Sequence, residues 1–169
     1  ASFQIAPGPG AETRRGAANL LGASQPRSVI FTANGTDALN QGIHGILRPG
    51  DHVVTSVVEH NSTLRPLRQI QERHGVEVTR VPCDGAGLVD PAEIRAAITP
   101  RTRLIALVHV SNVTGAVQPV VEVGEIAAEH QVWYLIDAAQ SLGHLPFDLA
   151  ATRADLVAAP GVLQAGHHP

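Results

Sequence analysis

"YLIDAAQSLGH", Tyr134 to His144, contains an apolar run, Tyr134-Leu135-Ile136, that closes on an acid, Asp137, with an amide, Gln140, three residues later. A short apolar run bounded by polar and small residues reads as a buried strand. Carboxylates at the C-terminal ends of such strands are common in α/β proteins, because ligands bind outside that edge of the sheet. Asp137 therefore has two readings: it satisfies a turn, or it meets a ligand. The flanking sequence has to choose between them.

Outward from this run the same pattern repeats. "SVIFT" (28–32), "HVVTSV" (52–57), "VEVTRV" (76–81), "RLIALVHV" (103–110), "VWYLID" (132–137) and "ADLVAA" (154–159) read as strands. Between them, "TDALNQGIHGIL", "STLRPLRQIQERHG", "DPAEIRAAI" and "VEVGEIAAEHQ" read as helices. The third has its own start signal, Asp90 as N-cap and Pro91 at the first helical position, with Glu93 close behind. Gly50 and Gly75 stand where helices should end. Pro66 weakens the second helix, which is expected to begin only there. Strand–helix alternation implies parallel pairing through crossover helices, hence an α/β three-layer sandwich with a mainly parallel sheet in one domain.

Composition narrows the partners. The 169 residues are 44% hydrophobic and 16% charged, enough for a real core. A net charge of −3 gives no electrostatic reason to propose nucleic acid or an anionic membrane. No apolar run approaches a membrane span, and the first residues, "ASFQIAPGPGAETRRG", have no signal-peptide pattern. The single cysteine, Cys83, excludes an intrachain disulfide and fits a reducing, cytoplasmic setting. No metal spacing is present: there is no HExxH, and Cys83 has no ligand partner nearby in sequence. All twelve Lys+Arg positions are arginine, so the chain contains no lysine.

Three further stretches end strands on the same edge as Asp137. In "FTANGTDALNQ" (31–41), a turn containing Gly35 leads to Thr36 at a helix start. Free N–H groups, the helix dipole and a hydroxyl converge there, which suits a phosphate, although on this stretch alone a plain helix cap is the better account of Thr36. In "SVVEHNSTLRP" (56–66), His60 is either a loop residue or a group that stacks on an aromatic ligand or moves a proton. In "LVHVSNVTGAVQPV" (107–120), turn chemistry alone accounts for Ser111 and Asn112, and a functional Asn112 would be a hydrogen-bond donor at that edge.

Together, "NGTDALN", "EHNSTLRP", "HVSNVTGAVQP", "DAAQSLGHLPFDL" and "ADLVAAPG" resemble, in order and spacing, the class V aminotransferase/cysteine desulfurase family of fold-type I enzymes, which use pyridoxal 5′-phosphate. The resemblance runs from about Ala11 to Gly161. It implies a pyridoxal-phosphate-binding large domain over residues 1–161, incomplete, with residues 162–169 as a tail unlike the family and the smaller C-terminal domain absent. It implies that Asp137 pairs with the pyridine nitrogen, Gln140 with the phenolic oxygen, and His60 with the ring face, where it assists proton transfers. Gly35 and Thr36 would hold the phosphate, and Asn112 would line the substrate side. Asp148 is expected to serve the turn after "GHLPF". The resemblance also implies a homodimer acting on a small amino acid, as a desulfurase, selenocysteine lyase or related enzyme.

The chain departs from the family after its last strand. Where the family has Ser-Gly-His-Lys, with the lysine that holds the cofactor as a Schiff base, it has Pro160-Gly161-Val162-Leu163. Without a lysine the usual covalent anchor and α-proton base are missing, so the chain alone is expected to be inactive. Cys83 does not match the position of a desulfurase nucleophile. His167 and His168 read as tail. Two alternatives stand beside the enzyme: a non-enzymatic module of the same fold that binds pyridoxal phosphate or a similar phosphate, and an unrelated nucleotide-binding α/β domain. The second lacks a glycine fingerprint after its first strand.

Overall fold

The computed structural model describes residues 10–23, 25–160 and 162–165. The expectations placed on residues 1–9, Gly161, His167 and His168 lie outside them. The elements in chain order are α1 (Ala11–Leu21), β1 (Val29–Phe31), α2 (Gly35–Ile46), β2 (His52–Ser56), α3 (Asn61–His74), β3 (Glu77–Val81), α4 (Pro91–Ala97), β4 (Thr102–Val108), α5 (Val120–Glu129), β5 (Trp133–Asp137), α6 (Leu149–Thr152), β6 (Leu156–Ala159) and β7 (Val162–Ala165).

The strands form one sheet in the order β1-β7-β6-β5-β4-β2-β3. Five of them, β3, β2, β4, β5 and β6, are parallel neighbours. Strand β7 runs antiparallel to both β6 and β1. The α/β sandwich read from the sequence is thus present, with an antiparallel insertion between the first strand and the rest. Backbone pairing of residues 162–165 brings part of the expected tail into the sheet.

Alternation along the strands divides the core into two layers. Leu104, Ala106, Leu135 and Leu156 pack with Ala38, Leu39 and Ile43 of α2 and with Leu67 and Ile70 of α3. Ile105, Leu107, Tyr134 and Ile136 face the other way, against Ile94 of α4 and Val123 and Ala127 of α5. Each strand residue therefore serves one helix layer, and both layers are apolar because the central strands are covered on both faces.

One local expectation is corrected. Helix α3 begins at Asn61, and Pro66 sits inside it. The Thr63 and Leu64 amides both donate to the His60 carbonyl, so the first turn is closed before the proline is reached. The proline leaves one hydrogen bond unmade, and its ring is buried on the same face as Leu67 and Ile70. The start of α4 is as expected: the Asp90 side chain accepts from the Ala92 amide, with Pro91 following.

Candidate active site

The C-terminal ends of the parallel strands and the start of α2 meet on one edge of the sheet. A cavity of about 200 Å³ opens there, and Gly35, Thr36, His60, Asn112, Asp137 and Gln140 all line it. Every candidate residue from the sequence thus reaches one space. Topology explains this, since each follows the C-terminal end of a strand on the shared edge.

Asp137 ends β5 and is buried, and its Oδ1 accepts from the Ala139 amide at 3.0 Å. Burial holds its carboxyl above the usual range, against the pull of the Ala139 N–H and of nearby His60. No ion pair to Asp137 exists among the described residues. A buried acid that faces a cavity without a cationic partner suits a ligand that brings a protonated nitrogen.

At α2 the N-cap is Asn34, whose Oδ1 accepts from the Asp37 amide at 2.9 Å. The alternative reading of Thr36 as the cap is therefore not what the fold uses. The Gly35 and Thr36 amides are first-turn donors with no acceptor among the described residues, and they stand at the positive end of α2. A β-carbon on Gly35 would lie 3.6 Å from the Ala159 carbonyl and from Pro160, narrowing the cavity that Pro160 also lines.

His60 is the N-cap of α3, and its Nδ1 accepts from the Ser62 amide at 3.1 Å. The Ser62 hydroxyl is 2.8 Å from that same nitrogen and 2.8 Å from the Thr36 hydroxyl. Thr36, Ser62 and His60 therefore form one hydrogen-bonded chain between two helix starts. Asn112 and Gln140 are exposed at the mouth. A wider groove of about 600 Å³ continues outward between α2 and α3, past Asn40, Arg65 and Gln69.

The sequence reading passed over Ser62 and Glu59. Glu59 is buried; its Oε1 accepts from the Ser56 hydroxyl at 2.5 Å and from the Val108 amide at 3.0 Å, while Oε2 has no partner among the described residues. Burial raises this carboxyl to about 8, outweighing both hydrogen bonds, and the Asp137 charge adds to the rise. Glu59 thus keeps its proton at neutral pH beneath a site whose own acid is Asp137. The apolar strand leading into "EHN" gave a signal for burial; nothing in the sequence gave the carboxyl's partners.

Among the described residues no group of three or more His, Cys, Asp or Glu could hold a metal ion. No described helix is long and apolar enough to cross a membrane. Asp148 caps α6, accepting from the Ala150 and Ala151 amides, as expected of a turn residue.

Residues 10–162 match the family model for aminotransferase class-V. The chain belongs to the class-V aminotransferase family. Relatives within it include a probable cysteine desulfurase of Methanothermobacter thermautotrophicus, 42% identical over 151 residues, which cover 89% of this chain and 37% of the relative. The cysteine desulfurase IscS of Photobacterium profundum is 38% identical over 148 residues, 85% of this chain and 36% of the relative. Among solved structures, the cysteine desulfurase CsdA of Escherichia coli superposes with a TM-score of 0.85 at 28% identity, over 92% of this chain and 43% of that one. A structure of SspA in complex with cysteine gives 0.83 at 29% identity, over 90% and 47%. The chain therefore spans little more than a third of the length of these curated family members.

Proposed function

We propose that this chain forms the cradle for pyridoxal 5′-phosphate in an enzyme of the cysteine desulfurase or selenocysteine lyase kind, acting on a small amino acid. The observation that carries this reading is the convergence of Asp137, Gln140, His60, Asn112 and the Gly35–Thr36 amides on one cavity. Bound there, the cofactor supplies an electron sink for bonds at an amino acid's α-carbon. Asp137 holds a proton on the pyridine nitrogen, and its buried setting strengthens that pairing once the positive partner arrives. The Gly35 and Thr36 amides and the Thr36 hydroxyl hold the phosphate at the start of α2. Gln140 donates to the phenolic oxygen, His60 covers the ring and moves protons, and Asn112 orients the substrate.

These residues hold the cofactor without a covalent bond, because the 169 residues include no lysine. On its own the chain binds and does not turn over substrate. That absence also favours a second reading, a non-enzymatic module that binds pyridoxal phosphate or a related phosphate. For the whole protein we propose a cytoplasmic homodimer, as the family resemblance implies.

Titration of the purified chain with pyridoxal phosphate, read by visible absorbance and induced circular dichroism, tests the cradle. Saturable, chirally ordered binding that weakens in Asp137→Asn is the expected result. A folded chain that leaves the cofactor optically symmetric at saturating concentration overturns the proposal.

A further inference from the structure

The hydroxyl chain between Thr36 and His60 has a direction. Nδ1 of His60 accepts from the Ser62 amide, so it carries no proton in the free chain, and the neutral ring is protonated at Nε2. A ring nitrogen that offers only a lone pair requires the Ser62 hydroxyl, 2.8 Å away, to donate to it. The Ser62 oxygen then faces Thr36 with its lone pairs, and the Thr36 hydroxyl, also at 2.8 Å, donates to Ser62. Both protons point away from any anion at the start of α2.

We propose that Ser62 is a positioning residue that couples anion occupancy at Thr36 to the location of the proton on the His60 ring. This rests on the reading of Gly35 and Thr36 as a phosphate cradle. A phosphate anion has several unprotonated oxygens that accept hydrogen bonds, so it turns the Thr36 hydroxyl toward itself. The Thr36 oxygen then accepts from Ser62, whose hydroxyl rotates away from the ring. Nδ1 is left facing an oxygen lone pair, and the repulsion is relieved when Nδ1 bears a proton and donates to Ser62. That proton comes from Nε2, by a change of tautomer. The opposing cost is the Ser62 amide's bond to Nδ1, the side-chain cap of α3. Occupancy of the phosphate end thus prepares the ring that covers the other end of the cavity.

Long-range proton–nitrogen correlation spectra of the chain, uniformly labelled with nitrogen-15 and titrated with inorganic phosphate, test the coupling. The amide resonances of Gly35 and Thr36 report occupancy, and the His60 Nδ1 resonance reports the proton. Expected is an upfield move of Nδ1 from its unprotonated position in step with the amide changes, lost in Ser62→Ala and kept in Ser62→Thr. Through-space attraction by phosphate survives loss of the Ser62 hydroxyl. A Nδ1 response of undiminished size in Ser62→Ala therefore overturns the relay and leaves the cradle intact. Amide changes without any Nδ1 response also overturn it. Absence of amide changes overturns the phosphate cradle itself, and the relay with it.

Discussion

The Val108 amide donates to Glu59 across 3.0 Å, and Val108 is the residue registered against Asp137 on the neighbouring strand. A carboxyl that keeps its proton is thereby tied to the strand end beside the site's ionisable acid. The arrangement destabilises the free chain as pH rises. Glu59 titrates at about 8 in the fold and near 4.5 when unfolded. Its contribution to stability is complete below the unfolded value and is lost as pH climbs through the folded one. Glu59→Gln keeps an acceptor for Ser56 and Val108 and removes the titration. Urea unfolding between pH 5 and 8 should therefore show wild type losing on the order of 1 kcal/mol per pH unit relative to the variant. Parallel stability curves for the two proteins would contradict this account of Glu59.

His52 acts in the opposite sense. It is buried between the Thr102 hydroxyl, 2.7 Å from Nδ1, and the Thr79 hydroxyl, 2.8 Å from Nε2, joining β2 to both of its neighbours. Burial lowers its pKa, helped by Arg101 and opposed by Glu77. The neutral ring is the native form, so this stability is present above the unfolded value of 6.5 and is lost as pH falls through the folded one. Replacement by alanine should cost roughly 2 kcal/mol or more at neutral pH. It should also flatten, without abolishing, the acid limb of the stability profile, because burial lowers the pKa of His109 in the same direction. Chemical denaturation at pH 5 and pH 7.5 provides the comparison.

Asn34 and Thr36 divide two tasks at the start of α2. Asn34→Ala removes the cap and should cost about 1 kcal/mol of stability. Thr36→Val removes a hydroxyl that the cap does not use, so stability should hold to within about 0.5 kcal/mol. Binding of pyridoxal phosphate to the Thr36 variant should weaken about tenfold, one hydrogen bond to a charged group. Thermal melts and cofactor titrations on both variants separate the two tasks. Equal losses of stability would mean that Thr36 shares the cap.

Gly124 lies where α5 passes the end of α6. A β-carbon there would overlap the Thr152 carbonyl oxygen, a backbone atom that cannot rotate aside. Gly124→Ala should therefore cost about 3 kcal/mol or more, well beyond the usual benefit of alanine in a helix. An unchanged melting temperature would show that the two helices can separate without penalty.

The sequence made the strand edges legible because buried strands announce themselves by apolar runs, and crossover topology then places their ends together. That reasoning brought Gly35, Thr36, His60, Asn112, Asp137 and Gln140 to one cavity. It offered only Thr36 as a cap of α2, whereas Asn34, two residues earlier, is the residue whose side chain does this. It placed the start of α3 at Pro66 because a proline breaks helix interiors, whereas here the first turn is closed by the His60 carbonyl. Ser62 and Glu59 stayed hidden for another reason. Their significance lies in partners far along the chain, Thr36 and Val108, and no local pattern records such contacts.

Strand β7 has a consequence for how the chain folds as it is made. In the described sheet β1 pairs only with β7, so five intervening strands separate it in sequence from its one described partner. Such long-range closure is entropically slow. The segment from β2 to β6 can assemble without β7, by parallel crossovers between neighbours and one, from β3 to β4, that passes over β2. The turn from β1 into α2, with Gly35 and Thr36, is then fixed in place only after β7 has joined, so the anion cradle matures later than the β2–β6 sheet and is lost before it if residues 162–165 come loose.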